Sequence, residues 1–129
     1  MSLAVQQALF TRLAPLGYPV HDRAPQVVDG AASAGWPYIE IGAIFLTAWD
    51  DFGSTGFDFI ARIHTRSRAA GMKECRTIQQ AIYGALHRGE LVVAGFNFIS
   101  LAREMSEVML APDNSIHGVC EYRGLIAAT

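Results

Sequence analysis

The side chains of this sequence that could do chemistry are two cysteines, four histidines, an adjacent pair of aspartates and a run of basic residues. A cysteine nucleophile needs a lowered thiol pKa and a base within hydrogen-bond reach. Cys75 stands near the start of a predicted helix, where a thiol pKa is lowered. It also opens the apolar stripe of that helix, which predicts a buried and inert thiol. The base it would need, His64, lies across an irregular stretch, and nothing in the spacing brings the two together. Neither Cys75 nor Cys120 sits in a CxxC or Cys/His cluster, so the simplest expectation is two reduced thiols in a protein made inside the cell. His21, His64, His87 and His117 are isolated, with no H-x₃-H pair of the kind zinc requires. Asp50-Asp51 could attract a divalent cation, but two adjacent carboxylates in a loop predict solvated side chains. G-x-x-x-x-G-K-[ST], G-x-G-x-x-G and G-x-S-x-G are all missing. The expectation is therefore a protein that is not an enzyme, with no catalytic residue, cofactor or metal.

The basic run is Arg62, Arg66, Arg68, Lys73 and Arg76. It sits in a chain of net charge −2 and pI about 6.0, which has no basic excess to hold it on nucleic acid. The run predicts a solvated face or ion pairs between subunits, with DNA touched at most in passing.

The elements that must position these residues follow from periodicity. Ser2 to Leu16 reads as an amphipathic helix: Val5, Leu9 and Leu13 recur on one face, Ser2 is a candidate N-cap, and Gly17 and Pro19 end it. Val20 to Asp22 predicts a short extended piece, and Asp22 to Gly35 a loop. Pro37 to Gly42 alternates as a strand. Asp50 to Gly56, with two aspartates and two glycines, predicts a turn or mobile loop. Phe57 to Thr65 is a strand with Phe57, Phe59, Ala61 and Ile63 on one face. Met72 to Arg88 is the best helix, with Cys75, Ile78, Ile82 and Leu86 as its stripe and Gly89 as its stop. Over Phe96 to Leu110 the local spacing of Phe98, Leu101, Met105 and Val108 predicts a third helix. His117 to Ala127 predicts a last strand, with Cys120, Tyr122 and Ile126 on one face.

A chain of 129 residues with no repeat or linker predicts one domain over 1–129. Hydrophobic residues make up 51% and charged residues 17%, which excludes disorder and leaves apolar surface available for partners or further copies. The N-terminus is not that of a signal peptide, and no apolar run approaches a membrane span, so no membrane partner is expected.

Four stretches together resemble one family. Val20-His21-Asp22-Arg23-Ala24-Pro25 resembles a V-Y-D-x-x-P segment, with His21 in place of Tyr. Pro37-Tyr38-Ile39-Glu40-Ile41-Gly42 resembles P-Y-I-x-I-G. Ile63 to Gly71 resembles a strand exit h-x-W-S-x-x-x-G, with Thr65-Arg66 where an aromatic is usual. Ser106 to Arg123 resembles a closing hairpin with a turn at Asp113 and then H-G-x-x-x-[FY]-R. In this order and spacing they are similar to the phage tail completion (tail terminator) family. That resemblance implies an α+β fold: a mostly antiparallel, mixed sheet of about four to five strands with two helices on one face. It implies that Phe98 to Val108 is a strand, against the local pattern, and tertiary context routinely overrides propensity. It also implies a structural protein of a phage, defective prophage or gene transfer agent, made in the bacterial cytoplasm and placed at the neck of the tail. There it would cap the tail tube and join it to the head, with itself (a hexameric ring on the tail), the tail tube protein and the head-tail connector as partners. The alternatives are a head-closure or minor tail protein, and a small ligand-binding domain with a preformed pocket. Asp50, Asp51, Phe52, Arg66 and Arg68 are the expected assembly-interface residues. The loops Ala24 to Gly35 and Asp50 to Gly56 are expected to be mobile in the free protein and to contribute to assembly contacts.

Overall fold

The computed structural model describes residues 2–21, 37–51, 54–68, 71–87, 91–112 and 114–128. Two helices and a five-stranded mixed sheet account for most of them. Helix α1 (Ser2–Leu13) runs into a 3₁₀ turn (Ala14–Leu16) that Gly17 closes in a left-handed conformation, φ 90°. Ser2 is the first helical residue here rather than a cap outside the helix. Helix α2 is Lys73–Leu86. The strands are β1 (Val20–His21), β2 (Tyr38–Asp51), β3 (Ser54–Ser67), β4 (Phe96–Leu110) and β5 (Ile116–Ala128). Their order across the sheet is β1-β2-β3-β5-β4, with β1 parallel to β2 and every other pair antiparallel.

Both helices lie on one face and supply the core with the stripes their spacing predicts. Val5, Leu9 and Leu13 of α1 are fully buried, as are Cys75, Ile78, Ile82 and Leu86 of α2. Phe59, Ala61 and Ile63 of β3 meet them together with Cys120, Tyr122 and Ile126 of β5. Each large aliphatic removed from water in this way contributes about 1.5–3 kcal/mol, so the α2 stripe outweighs any surface ion pair in the molecule. Two glycines of β5 let the layers close. A Cβ on Gly118 would lie 2.5 Å from Gln79 Nε2 and 2.6 Å from Cys75 Sγ, and one on Gly124 would lie 2.3 Å from the Phe59 ring. Helix α2 therefore rests on bare backbone at Gly118, and the far end of the Phe59 ring lies against Gly124.

Two expectations from local pattern are corrected. Phe96 to Leu110 is a strand, as the family resemblance implies over Phe98 to Val108, and not a helix. The reason is visible in the register. β4 pairs with β5 along its length, but the ladder skips Ile99 and Glu104. Each skip is a bulge that places two residues of β4 against one of β5. The residues opposite the helix-facing side of β5 are consequently Phe98, Leu101, Arg103, Ser106, Val108 and Leu110. Two steps of three among steps of two imitate a helical spacing.

The second correction concerns Asp50 to Gly56, expected as a turn or mobile loop. Trp49 pairs with Gly56, Asp50 with Thr55 and Asp51 with Ser54, so strand pairing runs on to Asp51 and Ser54. Turn-forming residue types extend further along the sequence than the turn does. The expected loop Ala24 to Gly35 and the stop at Gly89 lie outside the described residues.

Candidate functional site

Strand alternation sends every second residue of β2, β3 and β5 to the face that carries no described helix. Asp58, Ile60, Arg62, His64 and Arg66 of β3 stand there beside His117, Val119, Glu121, Arg123 and Leu125 of β5. Glu40 and Phe45 of β2 complete the row through their pairing with His64 and Ile60. Among the described residues, three ion pairs cross the strands. Arg62 Nε reaches Glu121 Oε1 at 2.9 Å, Arg66 Nε lies 3.6 Å from Glu40 Oε1, and Arg123 grips both carboxylate oxygens of Asp58. At 3.6 Å the Arg66–Glu40 contact is an ion pair without a hydrogen bond, and both atoms are buried. The Arg62 guanidinium also lies 5.6 Å from the centre of the Phe45 ring.

The chemistry least visible in the sequence is a histidine pair. His64 and His117, isolated by spacing, are brought together by the register of β3 with β5, where Arg66 opposes His117 and His64 opposes Val119. They are diagonal neighbours on one face, within reach of long or aromatic side chains. His64 Nδ1 lies 2.8 Å from His117 Nε2, and the rings stack with centroids 5.0 Å apart. One nitrogen must donate and the other accept, so the contact requires at least one neutral ring. Burial lowers the pKa of His64 from 6.5; Glu40 opposes that, while Arg66 and Arg62 reinforce it. Burial likewise lowers that of His117, reinforced by Arg66 and by His64 itself and opposed by Glu40. The His64 ring lies against Gly42, where a Cβ would come within 2.6 Å of Nε2.

A second polar cluster joins α2 to β4. His87, just past the end of α2, accepts the N–H of Arg103 on its Nδ1 at 3.0 Å, at the second bulge of β4. Its ring stacks on Tyr83 at 4.4 Å, and the Arg103 guanidinium lies 4.3 Å from the Tyr83 centroid. Gln79, buried beside Gly118, donates its amide to the carbonyl oxygen of Glu107 at 3.0 Å. A groove of about 280 Å³ opens between the two elements, lined by Arg76, Gln79, Gln80, Arg103, Ser106, Glu107 and Val108.

Catalytic arrangements do not assemble among the described residues. Cys75 Sγ points to the helix side of β3, 3.9 Å from the Thr65 carbonyl, while His64 projects from the opposite face. Burial pushes the Cys75 thiol up to about 11, the reverse of what a nucleophile needs, and does the same to Cys120. Both cysteines are free. No group of three potential metal ligands occurs among the described residues. An apolar cleft of about 590 Å³ lies between α1 and residues 91–94, but the one charged side chain lining it, Arg12, spends its Nε on the Ala85 carbonyl. No described helix is long and apolar enough to cross a membrane.

The expected assembly residues fall in different places. Asp50 and Asp51 end β2, and Phe52 lies outside the described residues. Arg66 belongs to the open face, and Arg68 is exposed just beyond β3. The basic run is split by the fold: Arg62 and Arg66 stand on the open face, Lys73 and Arg76 on the exposed side of α2.

The fold is similar to a chain in the virion of a native gene transfer agent particle, with a TM-score of 0.83 at 18% identity, covering 98% of this chain and 97% of that one. No functionally curated protein matches the sequence. The family model described as Tail completion protein gp17 matches residues 4–127, from the first turn of α1 to the last residues of β5. By that match the chain belongs to the tail completion protein gp17 family, whose members are structural components of phage and phage-like particles.

Proposed function

We propose that this protein closes the end of the tail tube and presents the surface on which the head connector seats. The family match over nearly the whole chain carries this reading, and the likeness to a virion chain supports it. The protein acts by shape and charge, without turnover, cofactor or metal; burial of both thiols and the separation of Cys75 from His64 are consistent with that. Its location is the neck of the virion tail, after synthesis in the bacterial cytoplasm. Copies form a ring, a hexamer on the tail, with one face against the last ring of tube protein and the other against the connector. Repeating one contact around a closed ring multiplies weak interactions and fixes the stoichiometry. DNA passes through without being read. Asp50, Asp51, Phe52, Arg66 and Arg68 contribute to the contacts between proteins.

Electron microscopy of particles lacking the protein tests the proposal. Tube subunits should continue to add to an uncapped end, giving full heads apart from tails, with some tails abnormally long. Tails of normal length beside heads that leak DNA would identify a head-closure protein instead. Normal tails joined to heads would refute both readings.

A further inference from the structure

The groove between α2 and β4 is lined by two arginines, Arg76 and Arg103, while Glu107 meets α2 through its backbone carbonyl, which accepts from Gln79. Neither arginine has a carboxylate partner among the described residues, whereas Arg62, Arg66 and Arg123 all do. Arg103 is held in place by its stacking over Tyr83 and by its backbone bond to His87. Arg76 is exposed on the facing wall, and Gln80 and Ser106 add neutral donors between them. A groove with two fixed or facing guanidinium groups suits carboxylates, which arginine binds through paired hydrogen bonds.

The chain carries one adjacent pair of aspartates, Asp50-Asp51, and it stands at the end of β2. That pair cannot reach the groove of its own chain. Glu107 is in register with Val119 and through it with His64, while Asp50 is in register with Thr55. The stretch of β3 from Thr55 to His64 spans roughly 30 Å at about 3.3 Å per residue. β2 and β4 are also separated by β3 and β5, so the two features lie at diagonally opposite corners of the sheet. Complementary patches at opposite corners of one chain join copies head to tail, and a head-to-tail contact that closes makes a ring. We propose that the Arg76–Arg103 groove receives the Asp50-Asp51 end of β2 from a second copy of this chain. The proposal rests on the ring reading given above and names the surfaces that form it.

Cross-linking and charge exchange in the full chain test it. Asp51→Cys combined with Gln80→Cys, treated with a short bismaleimide in the presence of purified tail tubes, should give a ladder of adducts between copies; the buried native thiols do not compete. Arg76→Asp alone, and Asp50→Arg with Asp51→Arg, should each lower occupancy of tube ends at least tenfold. Arg76→Asp combined with Asp50→Arg should regain most of it. Copies that assemble at tube ends without a ladder, adducts to tube protein in place of a second copy, or full occupancy in the charge variants would each overturn the proposal. A ladder with bare tube ends would uphold the contact and sink the tail-capping reading. Neither ladder nor assembly would sink both.

Discussion

The helix-covered face of the sheet and its open face are made from the same strands, by alternate residues, and they are held by different physics. On the covered face, buried side chains interlock at bare glycine backbone: Gly118 under Gln79 and Cys75, Gly124 under Phe59. On the open face, charges pair across strands and two imidazoles share a hydrogen bond. The first arrangement depends on shape and tolerates almost no added volume. The second depends on protonation and salt. The covered face therefore specifies the fold through shape, and the other face adds electrostatic contacts that respond to pH and salt.

Breaking the covered face should give the largest effects. Ile82→Ala and Leu86→Ala each empty a fully buried site in the α2 stripe, and each should lose about 2–5 kcal/mol in denaturant unfolding. A loss below 1 kcal/mol would mean that α2 is not the keystone its burial indicates. Gly124→Ala should cost about 1–3 kcal/mol, because the new methyl meets the Phe59 ring. Combining it with Phe59→Leu should recover part of that loss, and strict additivity would show that the ring is not the obstacle.

The pH dependence belongs to the open face. The pKa values of His64 and His117 are lowered by folding, so the unfolded chain binds their protons more readily. Well above 6.5 both states hold these rings neutral and stability is independent of them. As pH falls through 6.5 the unfolded state gains protons first, and stability drops until the lowered native values are passed. Thermal unfolding at pH 7.5 and 5.5 should show this fall, with a smaller fall in His117→Gln. An identical fall in the variant would assign the effect to other groups.

Smaller changes sharpen the contrast. The Tyr122 hydroxyl is buried with no hydrogen-bond partner among the described residues, and burial raises its pKa. Tyr122→Phe removes an unsatisfied polar group and should be neutral or stabilising by up to about 1 kcal/mol. A clear loss of stability would reveal a partner for that hydroxyl. Arg62→Ala with Glu121→Ala should show a coupling of only about 0.2–1 kcal/mol, weakened further by salt, since the arginine side chain is 47% exposed. Melting curves of the two single variants and the double variant would measure it.

How much of this could be read from the residues depended on range. α2, β3 and β5 were legible because each is a regular amphipathic run whose apolar face is buried against neighbours. β4 was not, because Ile99 and Glu104 interrupt the alternation and the family resemblance had to supply the strand. The second half of β2 does not show in the sequence because Ala43 to Leu46 is a continuous apolar run without alternation and the strand ends in Asp50-Asp51, a turn-forming pair. The histidine pair and the arginine groove depend on which strands are neighbours and in what register. Such contacts are non-local, and the spacing of His64 and His117, or of Arg76 and Arg103, carries no trace of them.

The two bulges of β4 also bear on heredity. Ile99 and Glu104 face no partner on β5, so a lineage could lose the codon for either and keep every other residue on its side of the sheet. Losing the codon for Ala102, which pairs with Arg123, would turn one end of the strand inside out. Length differences among related chains should therefore gather at these two positions, and an alignment that scattered them evenly along the strand would contradict it. β4 is the part of this sheet where genetic insertions and deletions can be absorbed without being seen by the core.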